Sequence, residues 1–302
     1  MIYTVSLNPG IDLFAPAYSM EYSKTNRTHD EYIVPGGKGL NVSVMLSKFG
    51  EETTAFGFAS GFTGAELIRM MEELNVKCDF IDAHQGFTRI NVKIVCGEVT
   101  EYNGSGISLT EEHIQEMLKK VALVGEDDFL VLSGSIPKGG SSDLYARFAA
   151  EMQKNGKGGK LIADTFGPAL TEVLPYHPFL IKPNIDELSD LMGRTLTTKE
   201  EITEGARKLQ EMGAVNVMVS LGGDGAMLLT EQGDVWFEET PKVPEGLTLN
   251  TVAAGDSMIG GFIHAYLQTG DYRKALHFSV ATGTAAAYSR WIPEPEFIET
   301  LL

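Results

Sequence analysis

Short apolar runs that read as strands alternate with longer segments of helical periodicity along most of this chain, and that alternation restricts the fold more than any other feature. A buried strand followed by a helix crosses over to a parallel neighbour, so the expected product is a parallel sheet with helices on both faces. Strand-like runs cover 53–58, 129–132, 160–163, 179–181 and 215–220. Helix-like segments cover 42–49, 63–74, 185–192 and 199–212, and two small-residue helices, 254–268 and 272–288, are apolar enough to be buried. The N-terminal third differs. Residues 11–17, 31–34, 89–95 and 98–102 are strand-like but separated by turns, too close together for crossovers, which points to a small accessory sheet. No linker rich in Pro, Gly or Ser divides the sequence, so residues 1–302 read as one α/β domain with a β subdomain at about 11–17, 31–34 and 89–102. The glycine- and lysine-rich stretch 154–160 reads as a solvated turn between helix and strand.

Composition removes several classes of function. With 43% apolar and 22% charged residues the chain has the make-up of a folded globular protein. Its 24 Lys and Arg against 41 Asp and Glu leave a net charge of −17, a field that repels nucleic acids and anionic membranes. A phosphorylated ligand would need local cations, backbone N–H groups or a metal ion. The opening Met1-Ile2-Tyr3-Thr4-Val5 has neither the basic start nor the apolar run of a signal peptide, and no stretch reaches the ~18 apolar residues of a membrane span, so a cytoplasmic protein is expected. Cys78 and Cys96 stand in no C-x-x-C or Cys/His pattern and read as core thiols.

Four segments carry chemistry. In Asn250-Thr251-Val252-Ala253-Ala254-Gly255-Asp256-Ser257, small residues lead into a helix that would aim open N–H groups at an anion, with Asp256 in its first turn. An ordinary first-turn Asp with small residues for close packing is the other reading. Pro35-Gly36-Gly37-Lys38-Gly39-Leu40-Asn41 lacks the G-x-x-x-x-G-K-S/T spacing of a Walker motif; it is either a glycine turn or a loop whose Lys38 and Asn41 serve sugar hydroxyls or phosphate. Lys182-Pro183-Asn184-Ile185-Asp186-Glu187 lies at the C-terminal end of a strand, where ligands bind in open α/β sheets. Asn184 and Glu187 suit either the water shell of Mg²⁺ or a capping box. Ser220-Leu221-Gly222-Gly223-Asp224-Gly225 reads as a hairpin turn. Gly57, Gly61 and Gly64 miss the dinucleotide fingerprint, Ser133-Gly134-Ser135 is not a G-x-S-x-G elbow, and His264 reads as a satisfied core residue.

Together these segments resemble the ribokinase-like sugar kinases of the PfkB type, from residue 1 to about 290. The stretch 250–263 is similar to that family's C-terminal signature, Gly36-Gly37-Lys38-Gly39-Leu40-Asn41 to its N-terminal one, and Asn184-x-x-Glu187 to its Mg-phosphate motif. Ser220-Leu221-Gly222 with Gly225 is similar to its nucleotide segment. The stretches 4–12, 88–94 and 132–137 resemble the branch of 1-phosphofructokinases and tagatose-6-phosphate kinases. The resemblance implies a three-layer sandwich with a mainly parallel central sheet and a β-sheet lid, and a homodimer formed through the lid. It implies Asp256 as base and Ala253, Ala254, Gly255 and Asp256 as anion hole. Asp12, Gly37, Lys38, Asn41 and Ser135 would hold the sugar, and Arg27 and Arg89 its phosphate. Lys182, Asn184 and Glu187 would serve ATP phosphates and Mg²⁺, with Ser220, Gly222, Gly225 and Thr251 along the nucleotide. The implied reaction is fructose 1-phosphate plus ATP to fructose 1,6-bisphosphate plus ADP, with tagatose 6-phosphate as the alternative acceptor. A non-catalytic sensor on the same fold is the reading from another class, and a retained Asp256 speaks against it. Three departures stand out: Ala253 in place of a glycine, Asn103-Gly104-Ser105-Gly106 after the lid strands, and Ser289-Arg290-Trp291-Ile292-Pro293 in place of a glycine-rich segment.

Overall fold

The computed structural model describes residues 1–154, 159–247 and 249–302, so positions 155–158 of the expected turn lie outside the described residues. In chain order the elements begin with β1 (Ile2–Ser6), β2 (Gly10–Pro16), β3 (Tyr32–Gly36), α1 (Lys38–Lys48), β4 (Thr53–Ala59), α2 (Gly61–Glu73) and β5 (Lys77–Asp82). Then follow β6 (Arg89–Cys96), β7 (Glu98–Tyr102), α3 (Glu111–Val121), β8 (Phe129–Ser133), α4 (Leu144–Gln153), β9 (Lys160–Asp164), α5 (Pro168–Val173) and β10 (Leu180–Ile181). The chain closes with α6 (Ile185–Met192), α7 (Lys199–Glu211), β11 (Asn216–Ser220), β12 (Ala226–Leu229), β13 (Val235–Glu238), α8 (Ala254–Thr269), α9 (Tyr272–Ala287) and α10 (Pro295–Glu299).

Among the described residues the larger sheet has nine strands in the order β13-β12-β11-β10-β9-β8-β1-β4-β5. Neighbours from β11 to β5 are parallel, and β12 and β13 turn back antiparallel at one edge. β4 and β8 are buried along their whole length, because helices cover both faces. Helices α3 to α7 pack on one face and α1, α2, α8, α9 and α10 on the other. The small residues of α8 and α9 let the two helices touch: a Cβ on Gly261 would meet Thr282 Oγ1 at 2.4 Å.

From β1 the chain builds outward to β4 and β5 on one side, and from β8 to β9, β10 and β11 on the other. The order therefore reverses between β1 and β8, whose last residues, Ser6 and Ser133, are register partners. Loops leaving such a switch point diverge and open a crevice at the carboxyl ends of the strands.

The smaller sheet has the order β3-β2-β6-β7 and stands off the crevice as the expected lid. One detail differs from the reading by turns: β2 and β6 run parallel, with Asp12 opposite Asn91. Between β3 and β6 the chain passes through α1, β4, α2 and β5 of the main body, and that excursion supplies the crossover. Alternation sorts the lid into two faces. Arg89, Asn91, Lys93, Asp12 and Glu101 turn toward the crevice, whereas Ile33, Leu13, Val92 and Tyr102 form a row across all four strands on the outside.

Helix α1 starts at Lys38 rather than at 42. Gly37 takes the N-cap at φ 133°, a backbone conformation closed to L side chains, and the Asn41 N–H already donates to Gly37 O at 2.9 Å. Lys38 and Asn41 are thereby placed one turn apart on one helix face. The two cysteines are free but half-buried rather than core thiols, because Cys78 lies on an edge strand and Cys96 at the open end of a lid strand. No described helix is long and apolar enough to cross a membrane.

Candidate active site

The crevice is lined by the N-terminus of α8, the N-terminus of α1, the loop after β8 and the inner face of the lid. They enclose a cavity of about 480 Å³, within the range of small-molecule sites. Ala253 turns the chain into α8 from a left-handed conformation (φ 63°, ψ 2°) that costs a non-glycine residue roughly 1 kcal/mol. The first backbone bond of the helix runs from Ser257 N–H to Ala253 O at 2.9 Å, which leaves the Gly255 and Asp256 amides open. The Ala254 N–H is turned to Thr251 O instead (3.3 Å), so this one amide of the anion hole expected over Ala253 to Asp256 already has a partner. A Cβ on Gly255 would stand 3.0 Å from Lys182 Nζ, so glycine there admits an ammonium to the same point.

Asp256 is buried in the first turn, and its Oδ2 accepts a 2.7 Å hydrogen bond from Asn41 Nδ2. Its pKa is pushed up to about 6, first by burial and then by the charge of Asp164, against the pull of Lys38, Asn41 and Lys182. Asp164 ends β9 and is also buried; burial works against its charge, but Lys182 (3.3 Å) and Lys38 (3.5 Å) hold its carboxyl below the usual aspartate value. Two lysines and two carboxylates thus share the floor of the crevice. A carboxylate poised near neutrality beside an open helix N-terminus can take a proton from a hydroxyl while the amides and Lys182 receive anionic oxygens.

The lid supplies the opposite wall. Asp12 Oδ1 accepts from Asn91 Nδ2 at 2.7 Å, and the carboxyl packs where a Cβ on Gly36 would intrude at 2.3 Å. Lys93 is buried between Glu101 (2.9 Å) and Asp12 (3.8 Å). Arg89 donates to Gly104 O at 3.3 Å, yet its Nε is buried without a partner. Ser133 Oγ and Asp164 Oδ2 are likewise buried without hydrogen bonds. Unpaired buried polar atoms gathered at one crevice mark places that a polar ligand would satisfy.

Among the predicted site residues, Asp12, Gly37, Lys38, Asn41, Arg89, Ser135, Thr251, Ala253 and Asp256 line this cavity. Arg27 does not. An isolated bridge from Ala17 to Thr28 extends the β2–β3 hairpin, and Arg27 lies exposed on the 18–27 loop beyond it, outside the lining of the cavity. Asn184 and Ser220 lie at neighbouring strand ends, where they form a parallel bridge, and Gly222 and Gly225 turn the chain from β11 into β12. Lys182, two residues before Asn184 and 3.3 Å from Asp164, connects this edge to the floor of the crevice. Asn184 and Glu187 cap α6 reciprocally, at 2.7 and 2.9 Å, as the capping reading expects. That use leaves Glu187 Oε1 without a hydrogen bond, which fits Mg²⁺ held through water and nucleotide phosphates rather than in a cage of side chains. His264 is satisfied, as expected, but half-buried rather than in the core: its Nδ1 lies 2.7 Å from Glu51 and its ring stacks on Phe49.

Sequence reasoning missed Asn8, Asn91, Lys93, Glu101, Asn103, Asp164 and Phe166, which also bear on the site. Asn91 and Lys93 were findable, since period-two alternation from Arg89 puts them on its face. A carboxylate closing the buried run at Asp164 was a second signal.

The profile of the pfkB family carbohydrate kinases matches residues 5–290. The chain belongs to this family. A 1-phosphofructokinase of Bacillus subtilis is 36% identical over 302 residues, covering 100% of this chain and 97% of the relative. A D-tagatose-1-phosphate kinase of Bacillus licheniformis is 34% identical over 291 residues, covering 96% and 93%. Phosphofructokinase-2 of Escherichia coli, solved in complex with fructose-6-phosphate, superposes with a TM-score of 0.89 at 28% identity over 99% of this chain and 97% of that one. This pfkB kinase therefore has the ribokinase-like architecture expected from its sequence, and the segments 36–41 and 250–256 meet at its crevice.

Proposed function

We propose that this pfkB kinase transfers the γ-phosphoryl group of ATP to the C6 hydroxyl of fructose 1-phosphate. The observation that carries the reading is the pairing of a buried, proton-poised Asp256 at an open helix N-terminus with an unpartnered Arg89 guanidinium nitrogen on the facing lid. Arg89 seats the phosphate already on the sugar, while Asp12 and Asn91 orient its hydroxyls. Asp256 takes the hydroxyl proton as the new O–P bond forms and the bond to ADP breaks. The Gly255 and Asp256 amides, with Lys182, receive the charge on the transferring group. Glu187 and Asn184 would hold Mg²⁺ through water, and the ion would neutralise nucleotide phosphates against the −17 charge of the chain. A retained base disfavours a non-catalytic sensor, since binding alone needs no proton acceptor. ATP and sugar phosphates are cytoplasmic metabolites, which supports that compartment.

The curated relatives carry their substrate phosphate on C1, so tagatose 1-phosphate, the C4 epimer, replaces tagatose 6-phosphate as the rival acceptor. Comparing kcat/KM over both 1-phosphates, fructose 6-phosphate and the free sugars decides among them; preference for a free sugar overturns the reading. Arg89→Ala raises the KM for the sugar phosphate about 30-fold, the loss of a charge-assisted phosphate contact, and leaves the KM for ATP unchanged. An unchanged sugar-phosphate KM would make Arg89 a lid-surface residue.

The lid is also the proposed dimer surface. Its outer row exposes Ile33 by 47% and Tyr102 by 52%, beside the half-buried Leu13 and Val92, a stripe of apolar surface left open among the described residues. The parent chain sediments as a dimer and Ile33→Asp as a monomer; a monomeric parent removes the proposal.

A further inference from the structure

We infer that Trp291, on the segment Ser289–Pro293 that departs from the family pattern, is a positioning residue for the base Asp256, acting through the Asn41 amide. The indole N–H of Trp291 donates to Asn41 Oδ1 at 3.3 Å, and Asn41 Nδ2 donates to Asp256 Oδ2 at 2.7 Å. An indole nitrogen can only donate. It therefore fixes the amide with its oxygen toward Trp291 and its NH₂ toward the carboxylate.

The consequence concerns protonation. A free amide could flip and accept a hydrogen bond from a protonated Asp256, stabilising the form that cannot act as base. Trp291 forbids the flip, so Asn41 favours the carboxylate alone. Trp291 does not line the cavity and meets the base only through Asn41 of α1.

The segment is held on both sides. Asn250 Nδ2 donates to Arg290 O at 3.2 Å from the loop that precedes α8. On the lid, the Arg290 guanidinium lies 3.7 Å over the Tyr32 ring, the Tyr32 hydroxyl donates to Arg290 O at 3.3 Å, and Arg290 Nη2 donates to Asp30 O at 3.3 Å. The indole is thus clamped between the lid strand and the base loop.

The charged groups facing Asp256 are Lys38 from α1, Asp164 from the end of β9 and Lys182 after β10, and all three remain when Trp291 is changed. Trp291→Phe keeps the ring and removes the donor. The acid limb of kcat/KM then moves up by about 0.5–1 pH unit, the worth of one hydrogen bond, while the high-pH plateau and the KM for ATP hold. In an Asn41→Ala background the same change gives no further shift. A limb that stays in place, or a second shift in that background, overturns the assignment.

The inference rests on Asp256 as base, so a readout independent of turnover separates the two. The chain has two tryptophans, and Trp236→Phe leaves Trp291 as the sole tryptophan, which excitation at the red edge of its absorption reads apart from the tyrosines. Its emission is expected to titrate with a midpoint near pH 6, the value of Asp256, and flat emission from about pH 5 to pH 8 would sink the coupling even in an active enzyme.

Discussion

Asp256→Asn is expected to lower kcat by about 10²- to 10⁴-fold with little change in either KM, and at the same time to raise the unfolding temperature. The amide keeps the shape and the neighbours of Asp256 but has no oxygen basic enough to accept the sugar proton. In the parent, kcat/KM falls as pH drops below about 6, because the base must be ionised before substrate binds productively. The stability effect has the opposite sign from the activity effect. The carboxyl carries a pKa of about 6 in the folded chain against 3.8 as a free side chain. Between those values the folded chain holds a proton that the unfolded chain has released. Ionised Asp256 therefore costs stability that grows through this window and is constant above it. Asparagine removes that cost, so the variant gains on the order of 1–3 kcal/mol at pH 7 and nothing below about pH 4. Measuring kcat and the unfolding midpoint on one preparation checks both halves; near-parental turnover would remove the base.

Asp164→Asn produces the largest loss of stability, about 3 kcal/mol, because it strands the ammonium of Lys182 in a buried site. Lys38 is 41% exposed and can turn toward water, which keeps the loss at the lower end for a broken buried pair. Two further readouts make the case specific. Asp164 is one of the groups that raise the pKa of Asp256, so the acid limb of kcat/KM moves to lower pH in the variant. Saturating ATP restores much of the lost stability, since its phosphates supply the negative charge that Lys38 and Lys182 lack. A variant as stable as the parent without nucleotide would show that water already screens the two lysines.

Much of the site was legible because its residues sit in local patterns. The glycines of 36–39 and the small residues of 250–256 announce backbone that a ligand approaches, and Asp256 stands out as the one carboxylate in the second run. Arg89 came from the lid strand and proved to be the guanidinium with an unsatisfied buried nitrogen. Arg27 was equally plausible on charge alone, yet it lies on an exposed loop outside the cavity lining. Asp164 was passed over because a single aspartate after a buried strand carries no motif, although it governs the charge of the floor. The departure at 289–293 marked the segment of Trp291 but not its role: an indole 250 residues from Asn41 acquires that only when α9 returns beside α1.

The sequence by itself determined the strand–helix alternation, hence a parallel sheet covered on both faces, and the placing of small and charged residues at strand ends. These follow from period and burial, which are written locally in the order of residues. The tertiary structure alone decided the switch point between β1 and β8, the parallel pairing of β2 with β6 through an excursion across the main body, and the shifting of Asp256, Asp164 and Lys38 by the charges gathered around them. Those depend on which distant segments share one low-dielectric crevice. Burial and through-space charge fix a proton's affinity, and neither quantity exists until the chain has closed around the site.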